Sequence, residues 1–275
     1  MTEWRTVSSV TAAILVGCVM PAAVSRAAVG DDDVAMRAVR ATVKVRDGHR
    51  AGTGFLVAVP VEEGRRGGTL LATAAHVFDG AAGNAVTLTF RATDASGQSV
   101  RRDVQVPLKE GDRTLWTRHT KADVAVIALA MPADVDARPF TLAEIADTER
   151  IESGAVRLGR SVRVACYPAQ VESHPAGWPV LRHGSIASHP LLPVSAVATF
   201  YVDYSHFGGD SGAAVVIDDD GKPVVAGVVV GMKRQSDRTS SPFEQRTVHT
   251  PLDLAVTVHP LLLRETVDAW RTGRP

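Results

Sequence analysis

Three side chains carry the elements of nucleophilic catalysis in one order along this sequence: His76, Asp123 and Ser211. A serine hydroxyl is a poor nucleophile until a base takes its proton, and a neutral imidazole can do so near pH 7. A buried carboxylate completes the set because it fixes the imidazole tautomer and stabilises the imidazolium that forms. The three residues therefore predict acyl transfer through Ser211, with His76 as the base and Asp123 as its orienting carboxylate.

The residues around Ser211 fit this role. Residues 208–212 read Gly-Gly-Asp-Ser-Gly and stand directly before an apolar run. A nucleophilic serine needs a tight turn, backbone N–H groups that converge on the oxyanion, and no bulky neighbours, and flanking glycines meet the last two needs. His76 ends one apolar run and Asp123 opens another, so all three side chains are expected at strand ends.

The elements that must position these residues are short. From residue 41 onward, β-rich runs of four to eight residues alternate with Gly, Pro, Asp and Ser clusters, which is typical of an all-β sandwich or barrel. The predicted strands are 41–45, 53–59, 69–73, 86–91, 124–129, 162–166, 213–217 and 224–230. Asp-Asp-Asp-Gly-Lys at 218–222 predicts a tight hairpin. Apolar spacing over 260–270 predicts one amphipathic C-terminal helix.

Bulk composition excludes several classes of function. The chain has 275 residues, and 30 basic residues balance 30 acidic ones, so no net field favours nucleic acid or an anionic membrane. The histidines outside the predicted triad lack metal-ligand spacing, and no sequence motif indicates a cofactor. No metal and no cofactor are expected, and the expected partner is a protein or peptide substrate. The sequence does not predict an oligomeric state.

Residues 1–27 are predicted to be a signal peptide, because Arg5 precedes an apolar run at 10–20 that is too short to span a membrane. Cleavage after Ala27 would release a soluble protein, whereas Leu-Val-Gly-Cys at 15–18 would leave a lipid anchor on Cys18. Residues 28–40 are interpreted as a linker with a short helix at 34–40, and 41–275 as the folded domain. The expected location is outside the cytoplasm, either periplasmic or secreted, with lipid anchoring at Cys18 as the alternative.

Several further strings resemble those of trypsin-like serine peptidases of the chymotrypsin fold, and in particular the bacterial disulfide-free Deg/HtrA-type protease domains. The matching segments are Gly-Thr-Gly-Phe-Leu-Val at 52–57, Thr-Ala-Ala-His-Val at 73–77, Asp-Val-Ala-Val-Ile at 123–127, Val-Ala-Cys-Tyr-Pro at 164–168, the 208–212 loop and Gly-Val-Val-Val-Gly at 227–231. They run in order from about residue 40 to residue 255. The resemblance implies two six-stranded antiparallel β-barrels with a C-terminal helix.

The same resemblance implies roles for the residues beside the triad. The backbone N–H groups of Gly209 and Ser211 would form the oxyanion hole, and Val229, Val230 and Gly231 would pair with an extended substrate. Two departures stand out. Asp210 replaces the usual Asn of Deg-type enzymes, and Val229 replaces a Ser that would hydrogen-bond the triad Asp, so another donor to Asp123 is expected. No peptide-binding PDZ domain is expected after the protease domain.

Cleavage specificity is predicted from the residue at the base of the primary pocket, which the resemblance assigns to Ser205. A neutral base with Gly231 at the wall favours an uncharged, medium-sized apolar side chain over Arg or Lys. Two interpretations of His206 are open. It lines the pocket and admits acidic side chains, or it is a solvated loop residue.

Two other functions compete with a serine endopeptidase. The chain could be a latent or inactive homologue that binds peptides through the same cleft, but its complete triad argues against this. An esterase of the α/β-hydrolase fold would need Gly-x-Ser-x-Gly and the order Ser, Asp, His, and neither occurs.

Overall fold

The computed structural model of the protein describes residues 1, 33–48, 50–240 and 244–273. The described residues from 33 to 273 form one compact unit. The predicted signal peptide and the cysteine of the lipoprotein alternative lie outside the described residues. No helix in the described part of the chain is long and apolar enough to cross a bilayer.

The N-terminal half is a mainly antiparallel sheet preceded by one helix. Helix α1 is Val34–Ala41, and its buried side chains pack on the core, so residues 34–41 belong to the folded unit. The strands and a second short helix are β1 (Thr42–Asp47), β2 (Arg50–Val59), β3 (Gly68–Thr73), α2 (Ala75–Asp79), β4 (Ala85–Thr93), β5 (Ser99–Pro107), β6 (Lys109–Glu110), β7 (Arg113–Thr114), β8 (Trp116–Arg118), β9 (Ala125–Leu129) and β10 (Phe140–Thr141).

Eight of these strands form one sheet in the order β5-β4-β1-β2-β3-β9-β8, with β10 added parallel to β2. Strands β6 and β7 form a separate two-stranded sheet. The fold class expected from the sequence is confirmed, and closure of this half into a six-stranded barrel stays a prediction.

The C-terminal half is a closed six-stranded barrel. Its elements are α3 (Thr148–Glu152), β11 (Ser161–Cys166), β12 (Val180–Ile186), β13 (Thr199–Asp203), β14 (Ala214–Asp219), β15 (Lys222–Ser240), β16 (Gln245–Val258) and α4 (Pro260–Thr272). The barrel closes in the order β11-β12-β13-β16-β15-β14. Short 3₁₀ turns occur at Leu142–Glu144 and Pro168–Gln170. The predicted barrel and C-terminal helix are therefore confirmed for this half.

Local sequence explains two of the predicted elements. Asp220 and Gly221 have φ of +50° and +79°, which closes the β14–β15 hairpin tightly. Helix α4 begins after His259, whose ring accepts the Leu261 N–H, and ends at Gly273 with φ of +67°. Both predictions are confirmed.

The two halves share a core. Phe55 and Val57 of β2 pack in the same buried cluster as Val216 and Val225 of the barrel, and helices α1 and α4 contribute to that cluster. The candidate site lies along the boundary between the two halves.

Candidate active site

His76 is positioned by the junction of β3 and α2. Strand β3 ends at Thr73, Ala74 is extended, and the helix begins at Ala75. Ala74 has no side chain that could cap the helix. The first turn therefore needs an acceptor from elsewhere in the fold.

Asp123 supplies that acceptor. Its Oδ1 accepts the His76 backbone N–H at 2.9 Å, and its Oδ2 lies 2.6 Å from His76 Nδ1. A deprotonated carboxylate makes Nδ1 the protonated ring nitrogen, so Nε2 is left as the acceptor. One carboxylate thus fixes both the ring and the main chain of His76. Val229 offers no side-chain donor to Asp123, and the substitute donor expected in its place stays a prediction.

The environment keeps Asp123 ionised. Partial burial alone would raise the pKa of its carboxyl, but the hydrogen bonds from the His76 ring and backbone outweigh this and leave the pKa below its usual value. A charged Asp123 is the form that orients His76 and stabilises its imidazolium.

A loop of residues 119–124 carries Asp123, and His119 fixes this loop. His119 Nδ1 accepts the backbone N–H groups of Lys121 and Ala122 at 3.1 and 2.9 Å. Its Nε2 lies 3.1 Å from Glu265 of α4. The C-terminal helix is therefore tied to the loop that presents Asp123, a link that no sequence motif indicates.

Ser211 stands on a turn in which Gly209 and Gly212 occupy positions that admit no side chain. A Cβ on Gly212, which has φ of +92°, would lie 1.9 Å from the Thr53 carbonyl oxygen. A Cβ on Gly209, with φ of +104°, would lie 2.3 Å from the Tyr167 carbonyl oxygen. These glycines therefore also allow the loop to pack closely against Thr53 in the N-terminal half and against Tyr167 in the C-terminal half.

The backbone of this loop leaves two donors unused. Gly208 O accepts the Ala169 N–H at 2.7 Å, and in a trans peptide this directs the Gly209 N–H to the opposite side. Ala169 reaches this position with φ of +48°, a conformation that costs energy in a non-glycine residue. In the described chain neither the Gly209 N–H nor the Ser211 N–H donates to a protein acceptor. Both donors are therefore free of protein acceptors, and their role as an oxyanion hole stays a prediction.

His76 and Ser211 line one cleft of about 210 Å³. Gly208 and Gly209 contribute to the same wall, and Asp47 and Arg50 lie among the polar lining residues. Within the described residues no hydrogen bond joins the Ser211 hydroxyl to the His76 ring. The structure therefore brings His76 and Ser211 to one cleft and joins Asp123 directly to His76.

The predicted substrate-pairing segment lies on β15. Val229 is fully buried, and its backbone is engaged by the nucleophile loop: its N–H donates to Ala213 O, and its carbonyl accepts the Gly212 N–H. Val230 and Gly231 are partly exposed. The exposed part of the predicted segment is thus limited to Val230 and Gly231, and its pairing with substrate stays a prediction.

Ser205 and His206 lie just before the nucleophile loop. Ser205 is partly exposed, whereas His206 is only 5% exposed and its ring packs against Tyr204. Burial, helped by the charges of Arg182 and Arg234, lowers the pKa of His206 to about 4. The solvated alternative for His206 therefore does not describe the structure, in which its imidazole is buried and neutral at pH 7.

Sequence reasoning missed one residue that ties the site together. Thr53 is fully buried, and its N–H donates to Ser211 O at 2.8 Å. Its hydroxyl donates to Gly209 O at 2.7 Å and accepts the Tyr167 N–H at 3.2 Å. The only sequence signal was its place between Gly52 and Gly54, which also fits an ordinary strand.

Sequence reasoning also left the partner of Asp210 open. The Asp210 carboxylate is fully buried, its Oδ2 accepts the Phe207 N–H at 2.9 Å, and Arg182 Nη1 lies 3.9 Å from the same oxygen. The neighbouring Cys166 is a buried free thiol, and its burial, reinforced by the Asp210 charge, raises its pKa far above the usual range. Cys166 therefore stays protonated.

Comparison with known proteins places this arrangement in a family. A family model described as a trypsin-like peptidase domain matches residues 52–232. None of the curated proteins matches the chain.

The solved structures similar to the chain include two of one protease. Rv3671c from M. tuberculosis H37Rv, a serine-to-alanine mutant in an inactive form, is 18% identical with a TM-score of 0.47, over 86% of this chain and 90% of that chain. The Rv3671c protease in its inactive form is 19% identical with a TM-score of 0.46, over 86% and 92%. At this similarity neither structure informs the chemistry. Because the family model spans more than half of its length, the chain belongs to the trypsin-like peptidase family.

Proposed function

We propose that this protein is an exported serine endopeptidase that hydrolyses peptide bonds through an acyl-enzyme. The observation that carries the proposal is the double contact of Asp123 with His76, in a cleft that Ser211 also lines. A histidine with only a structural role would not need to share a cleft with Ser211. The combination is the one that nucleophilic catalysis requires.

In the proposed reaction, Ser211 Oγ attacks the peptide carbonyl carbon and its proton passes to His76 Nε2. The resulting oxyanion is held by the Gly209 and Ser211 N–H groups, which have no protein acceptor in the described chain. His76 then gives its proton to the leaving amine as the C–N bond breaks. Water, deprotonated by His76, hydrolyses the ester and restores Ser211.

For specificity, we propose an uncharged side chain in the primary pocket. Ser205 offers a hydroxyl rather than a carboxylate, and the buried His206 is neutral near pH 7 because its pKa is lowered to about 4. Neither residue therefore supplies the charge that selects Arg, Lys or an acidic side chain. The extended substrate would run along Val230 and Gly231.

One observation favours a latent form of the same site. Ser211 and His76 share the cleft without a hydrogen bond between their side chains. In unliganded enzymes such bonds are often long and tighten only with substrate. A chain that never forms the bond would act as a peptide-binding homologue, so the assembly of the nucleophile is the point to test.

A fluorophosphonate reports on that assembly. Ser211 Oγ attacks the phosphorus, fluoride leaves, and the serine proton passes to His76. We expect intact mass and peptide mapping to place one adduct on Ser211, and Ser211→Ala and His76→Ala to abolish it. Ser153→Ala, which alters an exposed serine at the end of α3, should label like the wild type. Absence of labelling in a correctly folded sample would favour the latent homologue.

Substrate class requires a second assay. A casein-like protein and a short-chain ester are compared, each with wild type and Ser211→Ala. Cleavage of casein that depends on Ser211 supports an endopeptidase. Ester hydrolysis without casein cleavage would reject it, and casein cleavage by Ser211→Ala at the wild-type rate would show that the nucleophile is wrong.

Export is proposed from residues outside the described part of the chain. The intact mass of protein recovered from the producing cells distinguishes the routes. A soluble product that begins after Ala27 supports signal peptidase cleavage, and an acylated product that begins at Cys18 supports lipid anchoring. Full-length protein in the cytoplasm would reject export.

A further inference from the structure

A second pair of a histidine and a carboxylate lies at the start of the loop that carries Asp123. His119 opens this loop, and its side chain is only 10% exposed, whereas that of Glu265 on α4 is 57% exposed. The His119 Nε2 lies 3.1 Å from the Glu265 carboxylate. Neither side chain takes part in the proposed reaction.

The hydrogen bonds of His119 fix its tautomer. Its Nδ1 accepts two main-chain N–H groups, from Lys121 at 3.1 Å and from Ala122 at 2.9 Å. A ring nitrogen that accepts carries no proton, so the proton of the neutral ring lies on Nε2. There it is donated to Glu265, and a carboxylate at Nε2 favours the tautomer that leaves Nδ1 able to accept.

The main chain on both sides of Asp123 depends on this ring. The Ala122 N–H donates to His119 Nδ1, and the Ala122 carbonyl accepts the Val124 N–H at 2.9 Å. The Val124 carbonyl in turn accepts the His119 N–H at 2.9 Å. These bonds close residues 119–124 into a turn. Without the ring acceptor, the N–H groups of the two residues that precede Asp123 lose their partner.

Asp123 must be placed accurately, because its two oxygens serve different bonds. Oδ1 accepts the His76 main-chain N–H, and Oδ2 binds the His76 ring. A shift of the 119–124 turn cannot keep both bonds at their lengths. A misplacement of about 1 Å at a reacting group lowers the rate by about a hundred-fold.

Packing holds α4 where Glu265 is needed. Leu263 and Val267 of α4 lie in the buried cluster shared by the two halves, and Ala122 packs against the same cluster. A movement of α4 against the Asp123 loop would therefore disturb a close-packed core. Glu265 lies between Leu263 and Val267 in the chain, so its carboxylate approaches His119 from a fixed backbone.

We propose that His119 and Glu265 are positioning residues. Glu265 holds His119 in the tautomer protonated on Nε2, and His119 holds the 119–124 turn in the conformation that places Asp123 against His76. The inference rests on the proposed peptidase function. It makes the C-terminal helix a support of the triad, because α4 supplies the carboxylate.

The kinetic test compares His119→Leu, which removes the ring acceptor, with His119→Asn, whose amide oxygen can take the place of Nδ1. His174→Leu is the matched control, because His174 Nδ1 also accepts a main-chain N–H, from Ala176 at 3.1 Å, in a different turn. With a peptide ester, we expect His119→Leu to lower kcat about ten- to a hundred-fold with little change in KM. His119→Asn should recover most of this loss, and His174→Leu should leave kcat unchanged.

Two results of this comparison would overturn the inference. One is a His119→Asn protein as slow as His119→Leu, since the ring acceptor would then not be what matters. The other is a His119→Leu protein with a lower melting temperature and unchanged kcat per labelled site, since His119 would then act on stability alone.

Glu265→Gln tests the helix side of the pair and decides the case if His119→Leu does not fold. The amide oxygen is a weaker acceptor than a carboxylate, and the amide NH₂ favours the other tautomer. We expect kcat to fall about two- to fivefold. Asp268→Asn is the control, because Asp268 pairs with Arg271 on the same helix, and it should leave kcat unchanged.

A double variant checks that the two residues act through each other. In the His119→Asn background, Glu265→Gln should cost nothing further, because the shorter amide no longer contacts the helix. Additive losses, or a Glu265→Gln protein with the kcat of the wild type, would refute the role of Glu265.

Proton NMR separates this inference from the proposed function. The His76 Nδ1–H lies in a short, charge-assisted hydrogen bond of 2.6 Å to Asp123, so its resonance is expected far downfield and should vanish in His76→Ala. The signal should weaken or move upfield in His119→Leu and return in His119→Asn, whether or not the wild type is active. A wild type that a fluorophosphonate does not label but that shows this change contradicts the peptidase and retains the positioning role. An unchanged signal in His119→Leu refutes the role of His119 in either case.

Discussion

Asp123 accepts two hydrogen bonds from His76, one from the ring and one from its main-chain N–H, which lies in the first turn of α2. The carboxylate is therefore both the orienting group of the imidazole and the cap of the short helix that carries it. Because Ala74 cannot cap this helix, the local sequence leaves the helix end open for Asp123. The structure joins a helix cap and the proposed catalytic contact in one side chain.

This relationship predicts the outcome of Asp123→Asn. The amide oxygen can still accept the His76 main-chain N–H, but the amide NH₂ faces Nδ1 and favours the wrong tautomer. We expect kcat to fall by about 10⁴-fold with a small change in melting temperature. Asp123→Ala should lose similar activity and also more stability, since the helix cap is gone. Equal stability of the two variants would show that Asp123 does not cap α2.

The space around Gly212 yields a second prediction, with Gly221 as its control. Both glycines have positive φ, but a Cβ on Gly212 meets the Thr53 carbonyl, while a Cβ on Gly221 meets nothing within 4 Å. Gly221→Ala should cost only the backbone strain, about 1 kcal/mol of unfolding free energy. Gly212→Ala should cost about 3 kcal/mol or more and abolish fluorophosphonate labelling. Urea denaturation measures both, and similar costs would refute the close approach of the two halves.

The positions of His76, Asp123 and Ser211 at strand ends could be predicted from the sequence, because each residue lies beside an apolar run in the chain. The eight predicted strands, the hairpin and the C-terminal helix are all present. Eight other strands were not predicted, namely β5, β6, β7, β8, β10, β12, β13 and β16. Strand β5 gave no signal because most of its side chains are exposed and polar. Strand β15 continues to Ser240, ten residues beyond the predicted strand, because its second half is an exposed ribbon with no apolar alternation.

The contacts that hold the site could not be predicted, because they join distant segments. Thr53 reaches Gly209 across 156 residues, and the sequence around Thr53 describes only a strand. Arg182 lies on a barrel strand whose residue pattern does not indicate a pairing with Asp210. The periodicity of apolar residues predicts secondary-structure elements. The partner of a buried charge depends on how those elements pack, which the periodicity does not indicate.

The buried His206 predicts a pH dependence of stability. Its pKa in the folded protein is about 4, lowered from 6.5 by burial and by Arg182 and Arg234. Between these values the unfolded chain binds a proton that the folded chain does not, so stability falls as pH drops from 6.5 towards 4, by on the order of 3 kcal/mol. His206→Phe should flatten this decline, and His183→Gln, at an exposed position, should not. Burial also lowers the pKa of His259, so part of the decline should remain.

Denaturation in urea at a series of pH values measures this effect. Wild type, His206→Phe and His183→Gln are compared from pH 7.5 to pH 4. A decline in His206→Phe as steep as that of the wild type would mean that the His206 ring is hydrated in solution. A difference in stability between the wild type and His206→Phe that moves in favour of the wild type as pH falls would contradict the sign of the predicted shift.

Thr53 gives a prediction that separates hydrogen bonding from shape. Thr53→Val keeps the volume but leaves Gly209 O and the Tyr167 N–H without their partner in a buried site. We expect a loss of about 1–3 kcal/mol of stability. The Gly209–Asp210 peptide then keeps only the bond from the Asp210 N–H to Phe207 O, so kcat should also fall, by about tenfold.

Thr257→Val is the matched control, since Thr257 is equally buried but its hydroxyl has no partner in the described chain. Removing an unpaired buried hydroxyl should be neutral or stabilising. Melting temperature, kcat and KM are measured for both variants. If Thr53→Val matches Thr257→Val in kcat and stability, the bond from Thr53 to Gly209 does not hold the loop. If kcat and stability fall only in Thr53→Val, the N-terminal half of the fold supports the proposed oxyanion hole.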